Sequence, residues 1–192
     1  MAFKAYREIT GAGLQILRAD ASLFIFRNRE VTVYMLIYVD HIIIASSSDS
    51  TVNKLMQQLT GEFAIKDLGT LNYFLGIEVK QQRDGLMLSQ KHYALDLLKI
   101  ACMEKCRAIS TPMATTERLL SREQGHSLNN EEQFRYRSTV GGLQYLTMTR
   151  HDLAFAVNRV SQFIQNPTDI PWSAVKLILR YVKGTVGFGL KI

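Results

Sequence analysis

Cysteine is nearly absent: Cys102 and Cys106 are the two found in 192 residues. Four apart and without further partners, they build neither a disulfide framework nor a zinc site, so both are expected as reduced thiols. His41, His92, His126 and His151 show no metal-ligand spacing either. The longest apolar run, Val31–Ala45, is broken by Asp40 and His41 and is too short to span a bilayer. The first residues lack the apolar core of a signal peptide, and no targeting signal is seen. The expectation is an intracellular chain, cytoplasmic or nuclear, without a membrane partner. No internal repeat or low-complexity tract is present. What the chain does have is 47% hydrophobic content, enough for one ample domain or two small ones.

The formal net charge is +6, and it is unevenly placed. Residues 133–192 hold eight basic side chains (Arg135, Arg137, Arg150, Arg159, Lys176, Arg180, Lys183 and Lys191) against only Asp152 and Asp169, which accounts for the whole excess. A basic C-terminal third suits a surface that tracks phosphates, and it equally suits a solvated helical face.

Patterning predicts an α+β front half. Ala21–Phe26, Val31–Val39 and Ile42–Ala45 read as three antiparallel strands. After the Ser46–Ser50 cluster, Val52, Leu55, Met56, Leu59 and Phe63 recur at helical spacing. The Asp67-Leu-Gly69 turn follows, then a hairpin of Leu75–Gln81 and Leu86–Ser89 around Arg83-Asp84-Gly85. Ser89 is expected to cap a helix with Tyr93, Leu97, Ile100 and Ala101 on one face. Residues 107–130, with Pro112, Ser121 and Gly125, read as a linker, and Gly11 and Gly13 mark an earlier loop. Beyond the linker, three helices are predicted over Glu131–Thr147, Leu153–Ile164 (Asp152 as cap) and Trp172–Val182, with a glycine-bearing remainder Lys183–Ile192. The domain reading is therefore 1–106, a linker at 107–130, and a helical basic region at 131–192.

The stretch that carries chemistry is Tyr34–Ser47, where two strand-like apolar runs flank Asp40 and His41. The residues alone fit an ordinary hairpin with a polar turn, or a tip that presents a carboxylate to a metal ion. The stretch resembles the Tyr-Val-Asp-Asp hairpin of reverse transcriptases of Ty1/copia-type LTR retrotransposons. The resemblance continues in family order through Asp67–Val79, Tyr136–Thr147, Asn158–Phe163, Trp172 and Leu179–Thr185.

The resemblance implies a partial palm, an antiparallel sheet with packed helices, followed by a helical thumb- or connection-like region that stops where an RNase H domain would begin. It implies Mg2+ chemistry, with Asp40 as a metal ligand, and His41 standing where the family has a second aspartate. Imidazole is neutral and softer than carboxylate, and suits magnesium poorly. Asp20 lies in a context resembling the segment just before the hairpin, so it does not match the family's earlier palm aspartate. The family's fingers segment has no match in this sequence. Phe74, Leu75, Gly76, Ile77 and Glu78 resemble the element that grips the primer 3′ end. Arg135, Arg137, Arg150, Arg159, Lys176, Arg180 and Lys183 are the candidate nucleic-acid contacts. The expectation is a chain without polymerase activity or a stably bound metal by itself, which retains weak, sequence-independent affinity for an RNA/DNA duplex or hybrid. The alternative is an adopted, non-catalytic protein-interaction module with a protein partner or self-association.

Overall fold

The computed structural model describes residues 15–17, 20–113 and 125–192. The Gly11–Gly13 loop and the 114–124 stretch of the expected linker lie outside the described residues. The chain divides into two compact units, residues 1–71 and 72–192. That division falls ahead of the 107–130 segment because the helix before the segment shares its core with the helices after it.

The first unit holds β1 (Gln15–Leu17), β2 (Asp20–Arg27), β3 (Thr32–Tyr38), β4 (His41–Ser46) and α1 (Asp49–Glu62). The strands form one antiparallel sheet in chain order. The β2–β3 turn is set by Asn28, whose side-chain oxygen accepts from the Glu30 and Val31 amides at 2.9 and 2.6 Å. Alternation then sends Phe24, Val33 and Met35 to one face, where Leu55 and Leu59 of α1 cover them. Phe26, Val31, Ile37, Ile42, Ile44, Phe63 and Ile65 seal the margin. The expected helical stripe is thus real, with Leu55 and Leu59 as its buried members. The opposite face carries Tyr34 and Tyr38, both about half exposed.

The second unit contains β5 (Tyr73–Phe74), β6 (Ile77–Gln82), β7 (Gly85–Ser89) and β8 (Gly189–Lys191). Its helices are α2 (Lys91–Ile100), α3 (Asn130–Leu146), α4 (Ala154–Ser161) and α5 (Asp169–Gly184). The sheet order is β5-β6-β7-β8, all antiparallel. The β6–β7 hairpin forms where expected, but its turn residues are Arg83 and Asp84, and Gly85 opens β7 with a positive φ.

The glycine-bearing end is not a trailing remainder. Residues 189–191 pair with Ser89, Leu88 and Met87, and Ile192 exchanges backbone hydrogen bonds with Leu86 at 2.7 and 2.9 Å. A three-residue strand that opens on a glycine carries too little alternation to be legible. The expected all-helical region therefore contributes a strand to the preceding sheet.

The helices bury Leu97, Leu98, Tyr136, Val140, Leu143, Leu153, Val157, Val160, Val175, Ile178, Leu179 and Val182 in one core. Chain entry into α3 is fixed by a capping box, with Asn129 and Glu132 satisfying each other's backbone amides. At Gly142 the helices come close: a β-carbon there would lie 2.7 Å from Leu97 Cδ1.

Three local expectations are corrected. Ile100 is 68% exposed, and Leu98 takes the inward position. Ser89 ends β7, so it does not cap α2. Asp152 sits in a 3-10 turn, His151–Leu153, where it pairs with Arg150 instead of capping the next helix. The last turn of α2 closes as a Schellman motif with Cys102 in the left-handed position at φ 55, the Met103 amide reaching Leu98 O at 2.8 Å.

Candidate functional site

The β3–β4 hairpin pairs Tyr38 with His41, so the two-residue loop is Val39–Asp40 and His41 opens β4. The tip therefore displays Asp40 and Val39, with His41 one step down the strand. Val39 has φ 52 and is 88% exposed, an uncommon combination for a β-branched residue. Its side chain points to water, so the conformation is held by the strand register, not by packing of the side chain. The Asp40 carboxylate meets His41 Nδ1 at 2.7 Å. That hydrogen bond, then the local backbone bond and the imidazole charge, hold the Asp40 carboxyl below its usual value.

In the second unit, Phe74–Glu78 forms a tight hairpin. Phe74 pairs with Ile77 across a two-residue loop in which Leu75 has φ 46 and Gly76 φ 75. Two successive left-handed residues make a type I′ turn, which suits the twist of its strands but is unusual with leucine in it. The Leu75 carbonyl accepts from the Tyr145 hydroxyl of α3. Glu78, by contrast, turns inward and is 8% exposed. Its carboxylate accepts from the His92 backbone N–H at 3.1 Å and meets His92 Nδ1 at 2.8 Å. Helix α2 lacks a side-chain cap of its own, so Glu78 supplies from β6 the acceptor that its N-terminus needs. Burial pushes the Glu78 carboxyl up, but the His92 hydrogen bonds and the His92 and Lys80 charges outweigh it, and the net shift is downward.

The basic candidates separate by environment. Arg135 is exposed and pairs with Glu131 at 2.6 Å. Arg137 donates to the Ile164 and Gln165 carbonyls at 3.0 and 3.1 Å, closing the chain end beyond α4. Lys176 is exposed, with its ammonium 5.4 Å from the Trp172 ring centre. Arg159, Arg180 and Lys183 are half-buried, and Arg180 donates to the Arg107 carbonyl at 2.8 Å.

Arg150 is the correction. Its side chain is 2% exposed, so it is withdrawn from any surface that a phosphate could reach. The guanidinium forms a fork with Asp152 at 2.9 and 2.7 Å and donates to Thr185 O and Oγ1 at 2.9 and 2.7 Å. The Tyr181 and Phe188 rings lie 5.6 and 5.3 Å away. Burial pushes the Asp152 carboxyl up, but bonds from Arg150 and Tyr181 carry it below its usual value. Arg150 is thus the fastening that ties the start of the last segment to the helices. Sequence reasoning missed it because charge type does not reveal burial.

The first unit lifts an aspartate at the head of two apolar strands, and the second joins a tight hairpin to a helical core that carries the chain's basic excess. The chain is a member of the reverse transcriptase (RNA-dependent DNA polymerase) family, which residues 11–115 match, and it is of the Ty1/copia retrotransposon type. It is 42% identical over 172 residues to the retrovirus-related Pol polyproteins from transposons RE2 and RE1 of Arabidopsis thaliana, across 90% of this chain. It is also 42% identical over 160 residues to an uncharacterized mitochondrial protein of the same plant, across 83% of this chain and 65% of that protein. The chain spans only 12% of the length of the two polyproteins. No solved structure matches it.

Reverse transcriptases generally use divalent metal ions. The tip does not fit a metal pair: it offers one carboxylate, already paired with an imidazole. Among the described residues, no group of three or more His, Cys, Asp or Glu could hold a metal. Nor, among them, is any helix long and apolar enough to cross a membrane.

Proposed function

We propose that this chain is a retrotransposon-derived reverse-transcriptase segment that binds an RNA/DNA hybrid or duplex without extending a primer by itself. The observation that carries the reading is the Asp40–His41 tip. In-line phosphoryl transfer with two metals needs at least two carboxylates from a rigid scaffold, and here the second position is an imidazole bound to the first. The binding half of the reading is supported by the basic excess of residues 133–192 and by the exposure of Arg135 and Lys176. Asp40 is the vestigial metal ligand, Phe74–Glu78 the primer-facing hairpin, and Arg135, Arg159, Lys176, Arg180 and Lys183 the phosphate-facing set. Arg137 contributes chiefly by holding residues 164–165 in place.

The test is binding of the purified chain to an RNA–DNA hybrid across a salt series, together with templated extension by the chain and by His41→Asp. Affinity should fall steeply with salt. Changing Arg135, Lys176 and Lys183 together to Ala should flatten the log–log slope by about 2–3 units. No binding at low salt, or primer extension by the chain or by His41→Asp, would refute the reading.

A second reading, a non-catalytic interaction module, is favoured by the outer face of the first sheet. There Leu23, Ile25, Leu36 and Ile43 fall on the same side as the half-exposed Tyr34 and Tyr38. A defined oligomer in light scattering, without hybrid binding, would move the assignment to that reading.

A further inference from the structure

We propose that Tyr145 is a positioning residue that locks the Leu75–Gly76 turn in its left-handed conformation and so fixes what the hairpin presents. The proposal rests on the reading of Phe74–Glu78 as a nucleic-acid-facing element. Leucine at φ 46 is held against its own preference. The surroundings supply the restraint: the Tyr145 hydroxyl donates to the Leu75 carbonyl, and that hydroxyl would lie 3.3 Å from a β-carbon on Gly76. Glycine suits position 76 for its φ of 75, and a β-carbon there would crowd the approaching tyrosine.

Tyr145 is itself braced. The Tyr93 ring meets it edge-on with centroids 4.9 Å apart, and Glu78 secures the start of the helix that carries Tyr93. The hairpin is thus fastened to α3 at its tip and to α2 at its base. What this rigid tip offers outward is apolar: Leu75 is 49% exposed and Tyr73 60%. An apolar tip held at fixed geometry supplies shape and contact to a sugar or base edge without a phosphate contact of its own.

The experiment compares the full chain with Tyr145→Phe, Leu75→Gly and the double variant. Amide exchange of residues 73–78 and hybrid affinity across a salt series are measured together. Tyr145→Phe keeps the ring and removes only the hydroxyl. Exchange in 73–78 should quicken about five- to tenfold, the change that losing one hydrogen bond produces, with the α4 and α5 amides unmoved. In the Leu75→Gly background, where the turn no longer needs holding, the same substitution should change exchange by less than about twofold. Unchanged exchange in Tyr145→Phe, or an equal effect in both backgrounds, would overturn the proposal. Hybrid affinity should fall in Tyr145→Phe with its salt slope intact, because no charge is lost. Altered exchange with unaltered affinity would leave the positioning role standing and remove the nucleic-acid reading of the hairpin.

Discussion

Two tight turns, one in each unit, place a non-glycine residue at positive φ, and they are held in opposite ways. Val39 stands 88% exposed at the head of two long strands, and the acid beside it pairs with the next residue in the chain. Leu75 heads a pair of strands only two residues deep at β5, and it is held by a tyrosine 70 residues away. The first turn is as rigid as the register of β3 and β4 makes it. The second depends on the completed helical core. A tip on long strands displays a charged group with local help; a tip on short strands needs tertiary support before it can present anything.

The largest break in that contrast is expected at Arg150. Replacing it with Met removes four hydrogen bonds from a buried site and leaves Asp152 and Thr185 short of partners. Breaking such a pair costs about 2–4 kcal/mol, toward the lower end here because the Asp152 side chain keeps 37% of its surface in water. The second unit should melt lower and β8 should lose exchange protection, while the amides of β3 and β4 keep theirs. Equal loss in both units would show that the two turns share one cooperative support.

Glu78→Gln comes next, at about 1–2 kcal/mol, because a charged acceptor at an otherwise uncapped helix start becomes neutral. The sign in pH follows from the lowered carboxyl. Its contribution is fully present above the unfolded value of about 4.3 and is lost as pH falls through the lower folded value. Denaturant melts of the chain should therefore lose stability through that acid window, and those of Glu78→Gln should lose less.

Much of this arrangement was legible in the sequence. The β3–β4 hairpin, the Leu55–Leu59 stripe and the helices of residues 130–184 announce themselves by period and by turn or cap chemistry. What was not legible depends on long-range contact. Arg150 reads as one more cation until Thr185 and Phe188 fold over it. Tyr145 reads as one aromatic among several until its hydroxyl finds Leu75. The terminal strand has three residues, the first a glycine, and exists because β7 offers an edge.

Glycine substitutions sharpen the contrast at about 1 kcal/mol. Val39→Gly relieves a β-branched residue from positive φ and should raise the stability of the first unit by about that amount. Leu75→Gly should gain less than Val39→Gly, because the tyrosine tether already offsets part of its strain. Cys102→Gly, at a Schellman position, should gain about 0.5–1 kcal/mol. Urea midpoints at constant m-value would rank the three, and a gain at Leu75 equal to that at Val39 would erase the distinction between the turns.

The smallest effect concerns the charged tip itself. His41→Ala removes the leading cause of the lowered Asp40 carboxyl and leaves the local backbone bond in place. An NMR titration of the Asp40 side-chain carbonyl should then find its midpoint moved upward, toward the ordinary aspartate value of about 3.9. The folded carboxyl is depressed, so the pair's contribution is present above that value and fades as pH falls through the folded midpoint. His41→Asn, which can donate a neutral hydrogen bond, should leave the midpoint between those of the parent and His41→Ala, because it replaces the bond without the charge. A midpoint unchanged in His41→Ala would mean that the strands alone set the acidity of Asp40. The imidazole at the position of the family's second carboxylate would then have no hold on the one that remains.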